Sequence, residues 1–363
     1  MPIRSDWKLA REGITLDTIL RLLSKTVLNP ALTLPLVLLA RCTHKGKFLS
    51  AQHAQSFRYL RQALYLGIAT KLSATLDDYV MNNGANDIYD WNREIVVVTG
   101  GSDGIGKIVV QLLAERGIKV AVMDVQDLTY EAPPSVHFFR TDLASTSSIA
   151  SSASEIREKL GDPTVLINNA GCVRGKSILN SSESDIRLTF NVNTLAHYFL
   201  AQQFLPAMVS ANHGMIVTVA SFAAYVPAPN IVDYASSKAA ALSFHEGLSA
   251  EIASVYKAPR IRTVIMCQNY TRTKLFEGFD SKALYPETVA EEIVKAVLAG
   301  KSRHILVPIA GWWIPAGLRT MSFWFQYGLR KRLVNLMAQW NGRQVQQPSL
   351  EKLSESAVLV GNE

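Results

Sequence analysis

The sequence predicts a doubly wound α/β fold with a mainly parallel sheet, extended at both ends by apolar helical segments. Short β-branched runs recur at helix-length intervals from residue 95 onward, the rhythm of βαβ units around a parallel sheet. A glycine-rich turn stands directly after the first run and opens a helical stretch. Outside residues 92–310 that rhythm stops, and the stretches 1–47 and 311–343 are apolar and basic.

The predicted strands are residues 95–99, 120–124, 165–168, 216–220, 262–267 and 305–307. Ahead of them, residues 48–91 read as a helical connector, with Phe57, Leu60, Leu64, Ile68, Leu72 and Leu76 at helix spacing and a turn at Asn82-Asn83-Gly84. Residues 1–47 form a basic, apolar N-terminal segment. Within it, residues 26–40 carry no charge and are flanked by Arg21, Lys25, Arg41, Lys45 and Lys47. That run is shorter than the roughly 20 apolar residues a spanning helix needs, and Pro30 and Pro35 are expected to kink it. It lacks the layout of a cleaved secretory signal. A re-entrant or interfacial anchor is the expectation, with a buried core helix as the alternative.

Residues 311–343 hold Trp312, Trp313 and Trp324, and from 311 to 340 the only charges are Arg319, Arg330, Lys331 and Arg332. Aromatics and cations beside apolar residues suit an interfacial membrane helix; a substrate-pocket lid or a dimer helix is the alternative. Residues 344–363 form a polar tail. Hydrophobic residues make up 48% of the 363 and charged residues 18%, which excludes a disordered or collagenous chain. The net charge of +7 resides in residues 1–63, where ten Lys or Arg face three acids. A basic apolar end on a neutral remainder points to a membrane surface and away from nucleic acid. Cys42, Cys172 and Cys267 lie far apart, which indicates a reduced compartment and no structural metal. The glycosylation-type triplets at Asn180 and Asn269 are read as unmodified.

Residues 99–106 read T-G-G-S-D-G-I-G and a helix follows. Gly100, Gly104 and Gly106 let the backbone turn sharply and approach a pyrophosphate, while the helix N-terminus offers free N–H groups and positive potential. Ser102, Asp103 and Ile105 belong to the same cradle. Asp124 ends the second predicted strand, 18 residues beyond Gly106, where an acid binds both adenosine ribose hydroxyls and repels a 2′-phosphate. The expected cofactor is therefore NAD, with NADP not excluded, on a Rossmann fold.

Further along stand Ser221, Tyr234 and Lys238; the last two are four apart and share one helical face. Residues 99–106, the run Asn168-Asn169-Ala170-Gly171, Asn193, Ser221 and the pair Tyr234 and Lys238 together resemble the short-chain dehydrogenase/reductase family, over roughly residues 92–310. The resemblance implies hydride transfer with Tyr234 as acid/base. Lys238 would acidify it and hold the nicotinamide ribose, Ser221 would bond the substrate oxygen, and Asn193 would position a relay water. A nearby ammonium and a positive nicotinamide both favour phenolate. Asp142 is similar to the acid that contacts adenine, Asn169 belongs to the cofactor-binding set, and Asn168 would support the central strand or line the adenosine side. Homodimerisation through the helices bearing Asn193 and Tyr234 is implied as well.

One departure stands out. The family reads Pro-Gly after the strand at 262–267, whereas Gln268 and Asn269 occupy those places here. Asn269 is expected to supply the positive φ of the glycine, and Thr273 remains for the nicotinamide carboxamide.

The acid after the second strand, the run N-Y-T-R-T at 269–273 and the apolar ends resemble the membrane and lipid-droplet branch that includes 17-beta-hydroxysteroid and retinol dehydrogenases. The implied substrate is a lipophilic alcohol or its carbonyl: a steroid, retinoid or long-chain lipid. The implied location is the endoplasmic reticulum or lipid-droplet membrane, with the catalytic domain facing the cytosol. Phe222, Ala223, Ala224, Tyr225 and Val226, with Leu275, Phe276 and Phe279, make the cleft apolar, and only Arg272 is in reach as an anion clamp. The alternatives are an NADPH-dependent 3-ketoacyl or 3-ketosphinganine reductase and, outside enzymes, a silent dinucleotide-binding membrane scaffold.

Overall fold

The computed structural model describes residues 3–5, 8–277, 283–312, 315–337, 344–345 and 359–360. Phe279, Trp313 and most of the polar tail lie outside the described residues. The chain divides into two compact units, Asp6–Gly84 and a larger one made of Met1–Ser5 with Ala85–Glu363.

The smaller unit comprises helices α1 (Leu16–Lys25), α2 (Pro30–Cys42), α3 (His44–Gln52) and α4 (Ala54–Met81). Thr15 and Thr18 form a capping box at the start of α1, and Asn29 caps α2 with Pro30 in its first turn. Proline there lacks an N–H that would be unpaired anyway, so Pro30 starts the helix rather than kinking it, while Pro35 sits inside it. The bend lies before α2, where α1 and α2 meet at 48°. No single described helix is long and apolar enough to cross a membrane, although this bent pair qualifies by length and composition. The buried-core alternative for residues 26–40 is not met: Leu32, Leu34, Leu36, Leu38 and Leu39 are exposed, and only Thr33 and Val37 of α2 are buried. In α4, Leu64 is buried but Ile68, Leu72 and Leu76 face outward.

The larger unit runs β1 (Ile95–Thr99), α5 (Gly104–Ala114), β2 (Lys119–Asp124), β3 (Val136–Arg140), α6 (Thr146–Leu160), β4 (Val165–Asn168), α7 (Glu183–Phe190), α8 (Ala196–Ala211), β5 (Met215–Val219), α9 (Val232–Ser254), β6 (Arg262–Gln268), α10 (Pro286–Leu298) and β7 (Arg303–Val307), then α11 (Pro315–Leu318) and α12 (Phe323–Arg332). The sheet is ordered β3-β2-β1-β4-β5-β6-β7, and every neighbouring pair is parallel. One face is covered by α5 and α10, through Val109 and Leu113 with Val289 and Ile293. The other is covered by α6, α8 and α9, through Ile149, Leu200, Phe204 and Leu248. Burial on both faces is why the central strands read as unbroken apolar runs.

Sequence reading missed β3. Its residues, V-H-F-F-R, are only partly buried, as befits an edge strand, and no helix separates it from β2, so the interval that marked the other strands is absent. The strand order reverses between β1 and its two neighbours, β2 and β4. That switch opens a crevice at the carboxyl ends of the strands, the place where doubly wound folds bind ligands.

Candidate active site

The chain leaves β1 through Gly100 at φ +65° and enters α5 through Gly104 at φ +58°, a left-handed backbone in which glycine is unstrained. Asp103 caps the helix, its carboxylate accepting the Gly104 N–H at 2.9 Å and pairing with Lys274 Nζ at 2.7 Å. A side chain at Gly106 would put its Cβ 2.0 Å from the Gly100 carbonyl oxygen, so glycine there lets α5 lie directly on the turn. Asn169 fastens β4 to the same turn by donating to the carbonyls of Thr99 (3.0 Å) and Gly100 (3.1 Å).

A cleft runs from this turn across the switch point. Gly100, Asp103, Gly104, Ile105, Asp124, Asp142, Asn169 and Thr273 line it, as do Ser221, Tyr234 and Lys238 farther along. Ser102 and Gly106 are not in its wall. Ser102 is fully buried; its N–H donates to Asp124 Oδ2 (2.9 Å) and its hydroxyl to the Gln126 carbonyl (2.9 Å), which ties the glycine turn to the end of β2. Gln126 N–H also donates to Asp124, at 3.2 Å. Burial raises the Asp124 carboxyl above the usual carboxylate range, against the pull of these N–H donors. Asp142 accepts the Ala144 N–H at 2.9 Å. Asn168 is fully buried with both carboxamide atoms unpartnered, and it supplies nothing to the cleft.

At the far end, Ser221 follows β5 and accepts the Ala223 N–H at 3.1 Å. Tyr234 and Lys238 occupy consecutive turns of α9, both buried. The Lys238 ammonium lies 5.9 Å from the centre of the Tyr234 ring and donates to the Val219 carbonyl at 2.8 Å. Burial pushes the Tyr234 phenol up to about 12, with a Ser221 hydrogen bond opposing and the Cys172 thiol adding to the rise. Burial also brings the Lys238 ammonium down to about 8. Burial of Tyr234 thus works against the acidification expected from the neighbouring ammonium. The amine is committed to a carbonyl, and the loss of water outweighs what the nearby donor gives back.

Asn193 stands between α7 and α8. It lies in a widened π-helical turn, Asn191–Leu195, and is fully buried. Its Oδ1 accepts the Cys172 N–H (2.8 Å), while its Nδ2 donates to the Cys172 carbonyl (2.9 Å) and to Ser237 Oγ (3.0 Å). The carboxamide ties the β4 loop to α9, one residue before Lys238, and is absent from the cleft wall.

The wall around Tyr234 is apolar: Val173, Ala228 and Ile231 are buried beside it, with Ala223, Leu275 and Phe276 packed on them. Phe276 meets the Tyr234 ring edge-on at 5.8 Å. Arg272 is turned out, its guanidinium over the Tyr285 ring at 4.2 Å and donating to the Ala283 carbonyl, so it forms no anion clamp. The left-handed backbone expected of Asn269 does not occur; its N–H instead extends the pairing with β7 by donating to the Val307 carbonyl at 2.9 Å. Gln268 lines the cleft with its side-chain oxygen buried and unpartnered. Sequence reading noted Gln268 only as a departure from Pro-Gly, and it missed Cys172 and Lys274, which also line the cleft. Isolated Gln, Cys and Lys residues carry no spacing that would have flagged them.

A ligand laid along this cleft would cross the switch point with its anionic centre at the α5 N-terminus and end at the serine, tyrosine and lysine. Fold and site thus define a class, the Rossmann-type oxidoreductases that use a nicotinamide dinucleotide. Comparison with known proteins specifies it further. Residues 94–283 match the short chain dehydrogenase family, and the chain belongs to that family. It is 45% identical over 198 residues to Dehydrogenase RED2 of Cochliobolus heterostrophus, covering 54% of this chain and 75% of that one. It is 34% identical over 226 residues to human Estradiol 17-beta-dehydrogenase 11, covering 59% and 75%. Among solved structures it resembles a short chain dehydrogenase from Burkholderia cenocepacia in complex with NADP, 26% identical at a TM-score of 0.57, covering 68% of this chain and 99% of that one. The fold alone is shared with 4-hydroxyisoleucine dehydrogenase complexed with NADH, 18% identical at a TM-score of 0.55, covering 59% and 96%.

Proposed function

We propose that the protein interconverts a lipophilic alcohol and its carbonyl, with Tyr234 as the acid/base. The observation that carries this reading is the placement of the buried Tyr234 with Ser221 and Lys238 at one end of the dinucleotide cleft, inside an apolar wall. The likeness to an estradiol dehydrogenase supports a steroid or a similar apolar alcohol.

The residues fit a nicotinamide dinucleotide. The left-handed glycines and the α5 N-terminus would take the pyrophosphate. Asp124 would accept both ribose hydroxyls and disfavour a 2′-phosphate, so NAD is preferred. Asp142 would meet the adenine, Lys238 the nicotinamide ribose, and Thr273 with the unpartnered Gln268 oxygen the carboxamide. The bound dinucleotide supplies the hydride acceptor or donor. Ser221 then bonds the substrate oxygen, and Tyr234 takes the hydroxyl proton as the hydride leaves carbon, or returns it in the reverse direction. Asn193 acts as a positioning residue that holds the β4 loop and α9 in register.

With Lys238 at about 8, the ammonium is present below that pH and lost above it. We expect kcat/KM for the dinucleotide to fall as pH rises through about 8, and a profile flat to pH 10 would remove Lys238 from dinucleotide binding. Tyr234→Phe should cost about 10²- to 10⁴-fold in turnover, measured as NADH oxidation or NAD reduction with steroid, retinoid and long-chain substrates. Unchanged turnover in that variant would overturn the assignment. Tighter binding of NADPH than of NADH would instead favour the 3-ketoacyl or 3-ketosphinganine reductase reading. The exposed leucines of α2 between basic flanks support work at a membrane or lipid-droplet surface, such as that of the endoplasmic reticulum, and pairing of two copies through the α7–α8 and α9 region follows the family likeness.

A further inference from the structure

The segment after β7 returns to the active site at three places. Gly311 lies flat on Phe222, the residue after Ser221: a Cβ there would come within 2.2 Å of the ring. Arg319 then donates to the Ala224 carbonyl at 3.0 Å, while Ala316 of α11 packs with Phe222 and Tyr225. Beyond α12, Leu333, Leu336 and Met337 join the cluster that contains Tyr234, and Met337 is buried in it. Between them, the described residues of 311–337 form a strap over the turn that follows Ser221 and pack into the apolar cluster that holds Tyr234.

Between those anchor points, α12 leaves its aromatics in water. Phe323 is 76% exposed, Trp324 79% and Tyr327 61%, with Met321, Phe325 and Val334 exposed around them. The helix satisfies its inner side locally: Gln326 is buried and donates to the Arg319 and Met321 carbonyls, and Arg330 returns to the Gln326 side chain at 3.2 Å. Large apolar side chains exposed together on one short helix mark an interaction site. Arg330, Lys331 and Arg332 end the helix, and residues 311–340 contain no acid to neutralise them. Exposed Trp, Tyr and Phe beside a basic triad complement the head-group region of an anionic lipid bilayer.

We propose that α12 docks on an anionic bilayer and that the same strap makes docking and substrate loading a single event, the lipophilic substrate entering the Tyr234 pocket from lipid past residues 333–337. This rests on the assignment of Tyr234 as the reacting site. It adds which end of the chain delivers substrate and which lipid charge it selects.

The test uses the full chain with vesicles of phosphatidylcholine alone or with phosphatidylserine added at roughly one part in three. Hydrogen exchange is followed on the amides of residues 319–337, so that binding by the N-terminal helices is read separately. Protection of this segment is expected with the anionic vesicles and little with the neutral ones. Phe323→Ser/Trp324→Ser/Tyr327→Ser should lose that protection and slow turnover of a vesicle-dissolved long-chain alcohol about tenfold or more. Turnover of a short water-soluble alcohol, NADH binding and Tm should stay at wild-type levels. No protection with anionic vesicles overturns docking. Lost protection with unchanged turnover of the vesicle-dissolved alcohol overturns the coupling. Protection that appears without vesicles and grows with protein concentration assigns the face to a second copy and overturns the bilayer. Absence of turnover on both alcohols in the wild type would count against the Tyr234 reading and leave the docking result standing, since exchange is read without chemistry.

Discussion

Helices α5 and α2 are both short and rich in leucine, valine and isoleucine, yet the structure uses them in opposite ways. In α5, Val109, Val110, Leu112 and Leu113 are wholly buried between the sheet and α10. In α2, five leucines point into water. The difference follows from what each helix lies against. Gly106 removes the side chain that would hold α5 off the glycine turn, and the parallel sheet gives its apolar face a surface to cover. The leucines of α2 fall at 32, 34, 36, 38 and 39, a spacing that spreads around the helix instead of forming one stripe, so no single neighbour can cover them. Hydropathy marks a helix as apolar, and geometry decides whether protein or another phase covers it.

That contrast can be broken at its strongest point. Gly106→Ala places a Cβ against the Gly100 carbonyl and Asn169, neither of which can move without displacing the turn. NADH binding, read by fluorescence enhancement, should be abolished, and retained binding would show that α5 does not need this close approach. Next, Leu113→Ala should cost about 2–5 kcal/mol in denaturant unfolding, because it empties a packed core position. A finer test lies inside the cleft. If the buried oxygen of Gln268 accepts the nicotinamide carboxamide, Gln268→Leu should erase most of the preference for NADH over its acetylpyridine analogue, a change of about 2- to 10-fold in the ratio of Kd values, as expected of one hydrogen bond. A ratio that moves with Thr273→Val and not with Gln268→Leu would return the contact to Thr273. The smallest effect belongs to α2: Leu36→Ala should alter unfolding by less than about 0.5 kcal/mol, while lowering partition into vesicles. A core-sized loss there would mean that this helix is covered by protein.

The parts of the site legible in sequence are those held by short-range geometry. A glycine turn between strand and helix, an acid at the next strand end, and a Tyr and Lys one helical turn apart all keep their relations through covalent spacing. The cleft contains Gly100, Gly104, Asp124, Ser221, Tyr234 and Lys238 where that spacing put them. Residues whose use depends on contacts far along the chain were not legible. Asn193 bonds Cys172 and Ser237, 21 and 44 residues away, and Ser102 bonds Asp124, 22 residues on. The phenol's protonation is another such case, because it depends on how completely water is excluded around Tyr234.

The sequence by itself determined the alternation of strands and helices, the glycine turn after β1 and the one-turn spacing of Tyr234 and Lys238, since each is written in a repeat or a spacing that any chain of these residues would keep. Tertiary structure alone decided that β3 extends the sheet at its edge, that Lys238 faces the Val219 carbonyl, and that Met337, more than a hundred residues past Tyr234, comes to rest beside it. Those outcomes depend on which surfaces remain to be covered once the sheet has closed, and burial of that kind is a property of the packed whole that leaves no period in the chain.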